Sequence, residues 1–446
     1  MAKKMLFLFV LLLSLTGMLK AQVTTAGMSG KVMADEESVI GATVVAVHEP
    51  SGTSYGTVTN VDGRFSLQGM RSGGPYKVTV SYIGYQTAIY TGIQLQLGET
   101  YSLNVTLHEA SELLGEITIT ASKSKFSAEK TGATTNISSE QLTTLPSINR
   151  SISDFTRISP YASGNSFGGR DGRSNTFTVD GANLNNNFGL SSGLPGGGNP
   201  ISLDAIDEVQ VVIAPYDVRQ ANFIGAGINA ITKSGTNAYR GSAYMYFNNE
   251  VMRGNKIGDT DFGARAEESK TVYGATFGGP IIKDKLFFFA NVEYEKSPQQ
   301  VITWRAAKEG ETPNNSTISR TTEADLAEFS QILKGKYGYN TGSFTDFPAD
   351  VTNLKLLGRI DWNINQGNKL SVRYNFTNNK TWEAPNGSSG NTGYRLAYNR
   401  VSAYSMSYAN SCYSLQNIVN SATAELNSRF LSLIHISEPT RLDVIS

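Results

Sequence analysis

Thr271 to Lys296 reads TVYGATFGGPIIKDKLFFFANVEYEK. Successive side chains of a strand point to opposite faces. In the second half, Leu286, Phe288, Ala290, Val292 and Tyr294 therefore share one face, and Phe287, Phe289, Asn291, Glu293 and Glu295 the other. In the first half, Tyr273, Ala275 and Phe277 alternate with Val272, Gly274, Thr276 and Gly278. Gly279-Pro280-Ile281-Ile282-Lys283-Asp284 supplies a turn, so the stretch is expected to be a β-hairpin. One of its faces is uniformly apolar. That face must pack on a second sheet in a soluble protein, or meet lipid in an outer membrane.

The same alternation recurs downstream. Gly241, Ala243, Met245 and Phe247 alternate with Ser242, Tyr244, Tyr246 and Asn248. Leu354, Leu356, Gly358, Ile360, Trp362 and Ile364 alternate with Lys355, Leu357, Arg359, Asp361 and Asn363. After a short turn at 365–368, Leu370, Val372, Tyr374 and Phe376 alternate with Ser371, Arg373, Asn375 and Thr377. Tight turns alternate with long polar connections at 304–352 and 378–400. Strands of roughly 10 residues, apolar outward and polar inward, with short turns at one end and long loops at the other, are the pattern of a transmembrane barrel. About six or seven such strands fit between Ala238 and Phe430, whereas plugged transporters close with about 22. Residues 238–430 are therefore expected to be the first part of an antiparallel β-barrel, not yet closed.

The two ends of the chain frame this reading. MAKKMLFLFVLLLSLTGMLKAQ carries Lys3 and Lys4, then an apolar run from Met5 to Leu15. That is the layout of a secretory signal peptide over 1–21, cleaved between Ala21 and Gln22, with Leu19 larger than usual at the −3 position. The remaining chain has no apolar run long enough for a spanning helix. An exported chain without spanning helices is soluble or a barrel. At the other end, LSLIHISEPTR (Leu431 to Arg441) matches the translation of a transposase-type sequencing adapter. Residues 431–446 are read as an artefact of that origin rather than a short amphipathic terminus, and the chain as an N-terminal fragment.

Composition agrees with an exported β protein. Glycine is 44 of 446 residues and charged residues are only 17%. Lys plus Arg equals Asp plus Glu, at 38 each, which leaves no electrostatic case for nucleic acid. The single cysteine, Cys412, has no internal disulfide partner. Residues 22–109 break into short alternating segments: Val39–Val47, a turn at Asn60-Val61-Asp62-Gly63-Arg64-Phe65, Lys77–Tyr82 with Val78, Val80 and Tyr82 inward, and Tyr101–Leu107. The Asp62-Gly63 pair is a hairpin signal, and the whole is expected to be a small β-sandwich.

The stretch GATVVAVHEPSGTSYGTVTNVDGRFSLQGM, followed by YKVTVSYIGYQT, resembles the carboxypeptidase-regulatory-like (transthyretin-like) domain. A zinc peptidase needs His-x-x-Glu and a distant His. Here His48 is followed three residues on by Ser51 and His108 by Ser111, and His435 lies in the terminal segment. The resemblance therefore implies the regulatory sandwich and no enzyme. Residues 110–127 form a linker containing Glu116-Ile117-Thr118-Ile119-Thr120-Ala121. This run resembles a TonB box, the segment that pairs with TonB. Strand addition suits it, because main-chain bonds supply the affinity. Its other reading is the first strand of the next domain.

Residues 128–237 contain GGRDGRSNTFTVDGANLNNN and ISLDAIDEVQVVIAPYDVRQANFIGAGINAITKSGTN. They resemble the plug of TonB-dependent outer-membrane transporters. Arg170, Asn175, Val179, Asp180 and Gly181 match that family's first motif. Ile206, Val209, Val211 and Pro215 fit its Ile-x-x-Ile-Glu-Val-x-x-Gly-Pro strand, with Gln210 and Ala214 as departures. Ile228, Asn229, Thr232 and Lys233 match its closing Ile-Asn-x-x-Thr-Lys. With the hairpin at 271–296, the pattern looks like the Oar-like subfamily. The polar loop at 183–200 either touches a ligand or is an unselective connector. Gly225-Ala226-Gly227 lacks the rest of a dinucleotide fingerprint and no Walker sequence occurs, so no cofactor is assigned.

The resemblance implies gated transport in the cell outer membrane. The implied partners are TonB, membrane lipid, an extracellular ligand and a surface lipoprotein. Two rival readings remain: an adhesion or surface-assembly protein on the same barrel, and a secreted soluble array of sandwiches.

Overall fold

The computed structural model describes residues 23–34, 37–109, 117–120, 133–147, 150–185, 199–215, 220–221, 223–252, 254–261, 268–298, 301–302, 304–314, 317–385, 403, 405–430 and 434–442. The signal-peptide reading, with Ala21 and Gln22, lies outside these residues. So do Glu116, Ala121 and most of the 183–200 loop.

The first domain is a sandwich of short strands: β1 (Ala26–Ala34), β2 (Glu37–Ser38), β3 (Thr43–His48), β4 (Thr53–Val58), β5 (Arg64–Met70), β6 (Gly73–Ser81), β7 (Ala88–Leu95), β8 (Thr100–Ser102) and β9 (Val105–Leu107). One sheet runs β2-β1-β5, with β8 and β9 also paired to β1. The other runs β7-β6-β3-β4 and carries β10 (Ile117–Thr120) on its β7 edge. Met28, Val32, Val44, Ala46, Phe65, Leu67, Tyr76, Val78 and Val80 fill the space between the sheets.

Two local expectations change here. The Asn60–Phe65 turn does not close a hairpin, because β4 pairs with β3 and β5 pairs with β1. It carries the chain from one sheet to the other. Gly63 sits at φ 72°, and the Asn60 side chain accepts from the amides of Asp62 and Arg64, so the turn chemistry is local and does not choose the partner strand. Tyr82 lies just beyond β6 and is 38% exposed rather than inward, since the alternation stops at Ser81.

The middle domain begins with β11 (Ala133–Ser138) and two short helices, Ser139–Thr144 and Ile152–Thr156. It continues with the small pair β12 (Ala162–Ser163) and β13 (Ser166–Phe167), then β14 (Thr176–Val179), β15 (Ala182–Asn183), β16 (Ile206–Ala214) and β17 (Gly227–Thr232). Its main sheet is ordered β11-β16-β17-β14-β15. Ile137, Phe155, Phe177, Val209 and Val211 pack beneath it, together with Phe289 and Leu357 of the barrel wall.

The wall is an antiparallel meander. Its strands are β18 (Arg240–Asn249), β21 (Ser269–Ile282), β22 (Leu286–Lys296), β25 (Thr352–Asn365), β26 (Asn368–Glu383), β27 (Tyr413–Phe430) and β28 (Ile434–Leu442). Between them lie the small pairs β19 (Lys256–Ile257) with β20 (Thr260–Asp261), and β23 (Arg305–Ala307) with β24 (Ile318–Thr322). Alternation along the wall is as read: Phe287 and Lys355 are 1% exposed, whereas Val292 and Ile360 are 43% and 46% exposed.

Three features of the wall go beyond the sequence pattern. The hairpin turn is shorter, because β21 runs to Ile282 through a bulge at Pro280–Ile282, and Asp284 takes the left-handed position at φ 61°. Several strands exceed the roughly 10 residues expected: β26 has 16 and β27 has 18. A tilted strand needs only about 9–11 to cross a bilayer, so the excess rises into the long-loop end. Finally, the segment read as an artefact is paired. Ile434–Leu442 lines up with Phe430–Ala422, Pro439 opposite Glu425. An unpaired strand edge is a template for any extended segment, whatever its side-chain period. Pro439 costs one donor in that ladder.

Candidate functional site

Asp180 is the centre of the inward-facing chemistry. It stands at φ 48° in the turn after β14, followed by Gly181 at φ 81°. That backbone turns its carboxylate onto β17, where it accepts from the Thr232 amide at 3.0 Å and the Thr232 hydroxyl at 2.6 Å. Two cations of the barrel wall face the same carboxylate. Arg359 approaches to 3.8 Å and Arg373 to 3.7 Å. Arg359 also grips Asp361 with two parallel bonds, at 2.8 and 3.0 Å, and donates to the Thr232 carbonyl. Arg373 donates to Glu425 at 2.8 Å.

The network extends into the first domain. Arg71 donates to Asp361 at 3.3 Å, and the Thr24 hydroxyl donates to Glu425 at 2.9 Å. All three domains thus share one buried set of charges. Arg373 Nε, both amide atoms of Asn375 and the Thr423 hydroxyl line a small polar gap beside Asp180 with no hydrogen-bond partner. A charge is tolerated in such a place only when paired. Removing one partner leaves the other stranded, at a cost of about 3–5 kcal/mol.

A second polar cluster pins the middle domain higher on the wall. Glu293 accepts from Lys355 at 2.8 Å, from the Ser202 hydroxyl at 2.7 Å and from the Tyr244 hydroxyl at 2.8 Å. Nearby, Arg150 pairs with Asp204 and lies over the Tyr246 ring, 3.7 Å from its centroid. Thr377 donates to the Pro200 carbonyl at 2.6 Å.

The first domain also holds the middle domain through the backbone of one residue, Leu97. The Leu97 amide donates to both carboxylate oxygens of Glu208, and the Leu97 carbonyl accepts from Gln210 and Asn136. The Leu97 side chain packs with Val23 and Ile231. At position 210 a Glu would offer only acceptors to that carbonyl. The Gln is what the contact requires.

A carboxypeptidase regulatory-like domain matches residues 27–108, and an outer membrane beta barrel domain matches residues 231–438. Residues 231–438 are an outer-membrane β-barrel domain. The chain is homologous to the TonB-dependent transporter Oar of Myxococcus xanthus, with 25% identity over 344 residues. The match covers 73% of this chain and 30% of that relative, so the chain spans under a third of the relative's length. Among solved structures it is similar to the outer membrane transporter YddB of Escherichia coli (TM-score 0.43, 13% identity, 67% of this chain and 37% of that one). It is also similar to a mutant of the ferric enterobactin receptor PfeA of Pseudomonas aeruginosa (TM-score 0.40, 14% identity, 67% and 38%).

Within the chain the residues singled out from sequence have separate fates. Asp180 and Thr232 meet at the centre of the charge network. Val179 and Ile228 are buried, Ile228 in the hydrophobic core with Val179 beside it. Asn175 orders the approach to β17 by accepting from the Ala226 amide at 2.9 Å, and Asn229 accepts from the Thr178 hydroxyl at 2.6 Å. Lys233 follows β17, and its amide donates to the Ala205 carbonyl. Arg170 is exposed on a loop, apart from the network, and Pro215 directly follows β16. The barrel residues Arg359, Asp361, Arg373 and Glu425 were not singled out as a site. The available signal was charge at inward positions of wall strands, where a fully lipid-facing or water-facing reading gives it no partner.

Ile117–Thr120 forms neither the first strand of the middle domain nor an isolated segment. It runs parallel to β7 on the sandwich, with Ile119 opposite Tyr90.

Proposed function

We propose that the chain is the N-terminal portion of a TonB-driven outer-membrane transporter, with residues 128–237 as its plug. The observation that carries this reading is the buried ion-pair network centred on Asp180, which joins the middle domain to the inward wall beside the apolar contacts of Phe289 and Leu357. A structural filler is better held by apolar packing, since buried ion pairs contribute little net stability. Charges that attract strongly yet are readily rehydrated suit a plug that must leave its seat and return.

The sandwich contacts the end of the wall that carries the short turns. Asn363 donates to the Thr53 hydroxyl at 3.0 Å, and Lys369 Nζ to the Ser54 carbonyl at 3.3 Å. Short turns mark the periplasmic end of such barrels, so the sandwich and the candidate TonB box stand where an inner-membrane energy source reaches them. The long connections, one of which contains the Glu323–Tyr337 helix, stand on the ligand side. In this reading an extracellular ligand binds there and TonB works the plug from below. A surface lipoprotein is a further partner at the loops. No catalytic role is assigned.

The test uses the full-length protein in outer membranes, with Asn375→Cys as a reporter in the polar gap beside Asp180. Maleimide labelling of that thiol is expected to rise in energised cells that contain TonB and to stay low in cells that lack it. Equal labelling in both strains removes the plug-gating reading and favours adhesion or assembly on a static barrel.

A further inference from the structure

The four residues Ile117–Thr120 occupy the free edge of a sandwich sheet. They run parallel to β7, with Ile117 opposite Ala88 and Thr120 opposite Thr91. Immediately beyond, Gly92 at φ 76° bends β7, so the edge offers a berth about as long as the segment that fills it. Strand addition is driven by main-chain groups and is tolerant of side chains. The edge of β7 therefore competes for the same amides and carbonyls that any strand-adding partner needs.

The connections permit docking and release. Glu109 bridges Tyr85, three residues before Ala88, and residues 110–116 easily close the return to Ile117. On the other side, residues 121–132 lead to β11 of the middle domain and span at most about 40 Å when taut. The sandwich itself is fixed elsewhere, through Leu97 to Glu208 and Gln210, and through Arg71 to Asp361.

We propose that β7 is an intramolecular receptor for the Ile117–Thr120 segment, and that the sandwich masks this segment from its periplasmic energy-coupling partner until the two strands separate. The inference rests on the transport reading for the identity of that partner, but the berth itself does not.

The experiment uses the full-length protein with Cys412→Ser, which removes the lone cysteine. Thr120→Cys with Thr91→Cys is expected to form a disulfide in the periplasm without added oxidant. Thr120→Cys with Gln94→Cys, out of register, is expected not to. Capture by a purified TonB periplasmic domain is expected to fall at least tenfold in the oxidised in-register variant and to recover on reduction, which shows that the variant is folded. Failure of the in-register disulfide, or equal bonding of both pairs, overturns the berth. Equal capture before and after reduction overturns the masking and points to addition on the outer edge of β10. A disulfide in register with no capture in either state upholds the berth and sinks the transport reading instead.

Discussion

At the scale of single residues, Asp180 shows what a turn motif conceals. Val179-Asp180-Gly181 was legible as a turn because Asp and Gly both tolerate positive φ. Nothing local says that the carboxylate then faces two arginines some 180 residues away. The pairing is a property of the wall, whose register places Arg359 directly opposite Arg373. If the three charges act together, Asp180→Asn and Arg373→Gln in the full-length protein are each expected to cost about 3–5 kcal/mol. The double variant should cost less than the sum, with a coupling of about 0.5–3 kcal/mol. Heat-modifiability of the folded barrel on gels reads this, and strict additivity would show that Asp180 and Arg373 do not feel one another. His48 makes a second case. Sequence reading asked only whether it binds zinc. In the structure its Nδ1 meets the Ser51 hydroxyl at 2.7 Å, against the Tyr76 ring. Burial, then the charges of Arg71 and Lys369, pull its imidazole down to about 3. Between that value and the ordinary one near 6.5, the unfolded chain binds a proton that the folded sandwich does not. Stability from this group is therefore complete above about pH 6.5 and falls on acidification, by up to about 1.4 kcal/mol per pH unit. Thermal unfolding followed by the near-ultraviolet signal of Tyr55 and Tyr76 should show that slope, and His48→Gln should flatten it. An unchanged slope in the variant would assign the acid sensitivity to other groups.

At the scale of elements, strand alternation carried most of the wall. A two-residue period survives any loop length, so β22, β25 and β26 were placed from pattern alone with their faces correct. The end-points were harder. Gly279 and Pro280 read as turn residues, yet both continue β21. Pro280 is accommodated beside a bulge, and Gly279 lies beneath the Tyr239 ring, where a Cβ would meet ring carbon at 2.3 Å. The Glu323–Tyr337 helix was legible in principle. Thr322 and Asp325 form a capping box, and Gly338 at φ 65° closes it. Its few apolar residues lie within a long polar connection, and Phe329 and Ile332 remain 53% and 41% exposed. The inward face of the hairpin is a packed interface: Phe289 enters the middle domain's core and Asn291 is 5% exposed. The outward face gives a clean test. Val292→Arg in the full-length protein should cost about 2–4 kcal/mol, as a cation near mid-membrane does. Glu328→Arg on the exposed loop helix should be within about 0.5 kcal/mol of wild type. Similar urea midpoints for the two variants in lipid vesicles would mean that Val292 does not face lipid.

At the scale of the whole molecule, the sequence divides into a sandwich, a connecting segment, a middle domain and a wall. Their stacking is not legible in it, because it depends on single backbone groups and side chains with no pattern of their own. Leu97 sits in an unremarked turn, and Thr24 sits at the start of β1's approach. Yet the sandwich touches both other domains: Leu97 grips β16, Arg71 and Thr24 enter the charge network, and Lys369 lies 3.0 Å from the centroid of the Tyr55 ring. The sandwich therefore sits across the short-turn end, beneath the middle domain. If the plug leaves through that end, the sandwich must move first. Thr53→Cys with Asn363→Cys, in place of their 3.0 Å hydrogen bond, tests this with the full-length protein in a Cys412→Ser background. The oxidised form should keep the folded barrel's gel mobility, because the cross-link joins groups already in contact. It should also suppress TonB-dependent labelling at Asn375→Cys, and reduction should restore that labelling. Full labelling with the disulfide closed would show that the plug rearranges while the sandwich stays in place. The polar contacts between sandwich and wall would then be a platform rather than a gate.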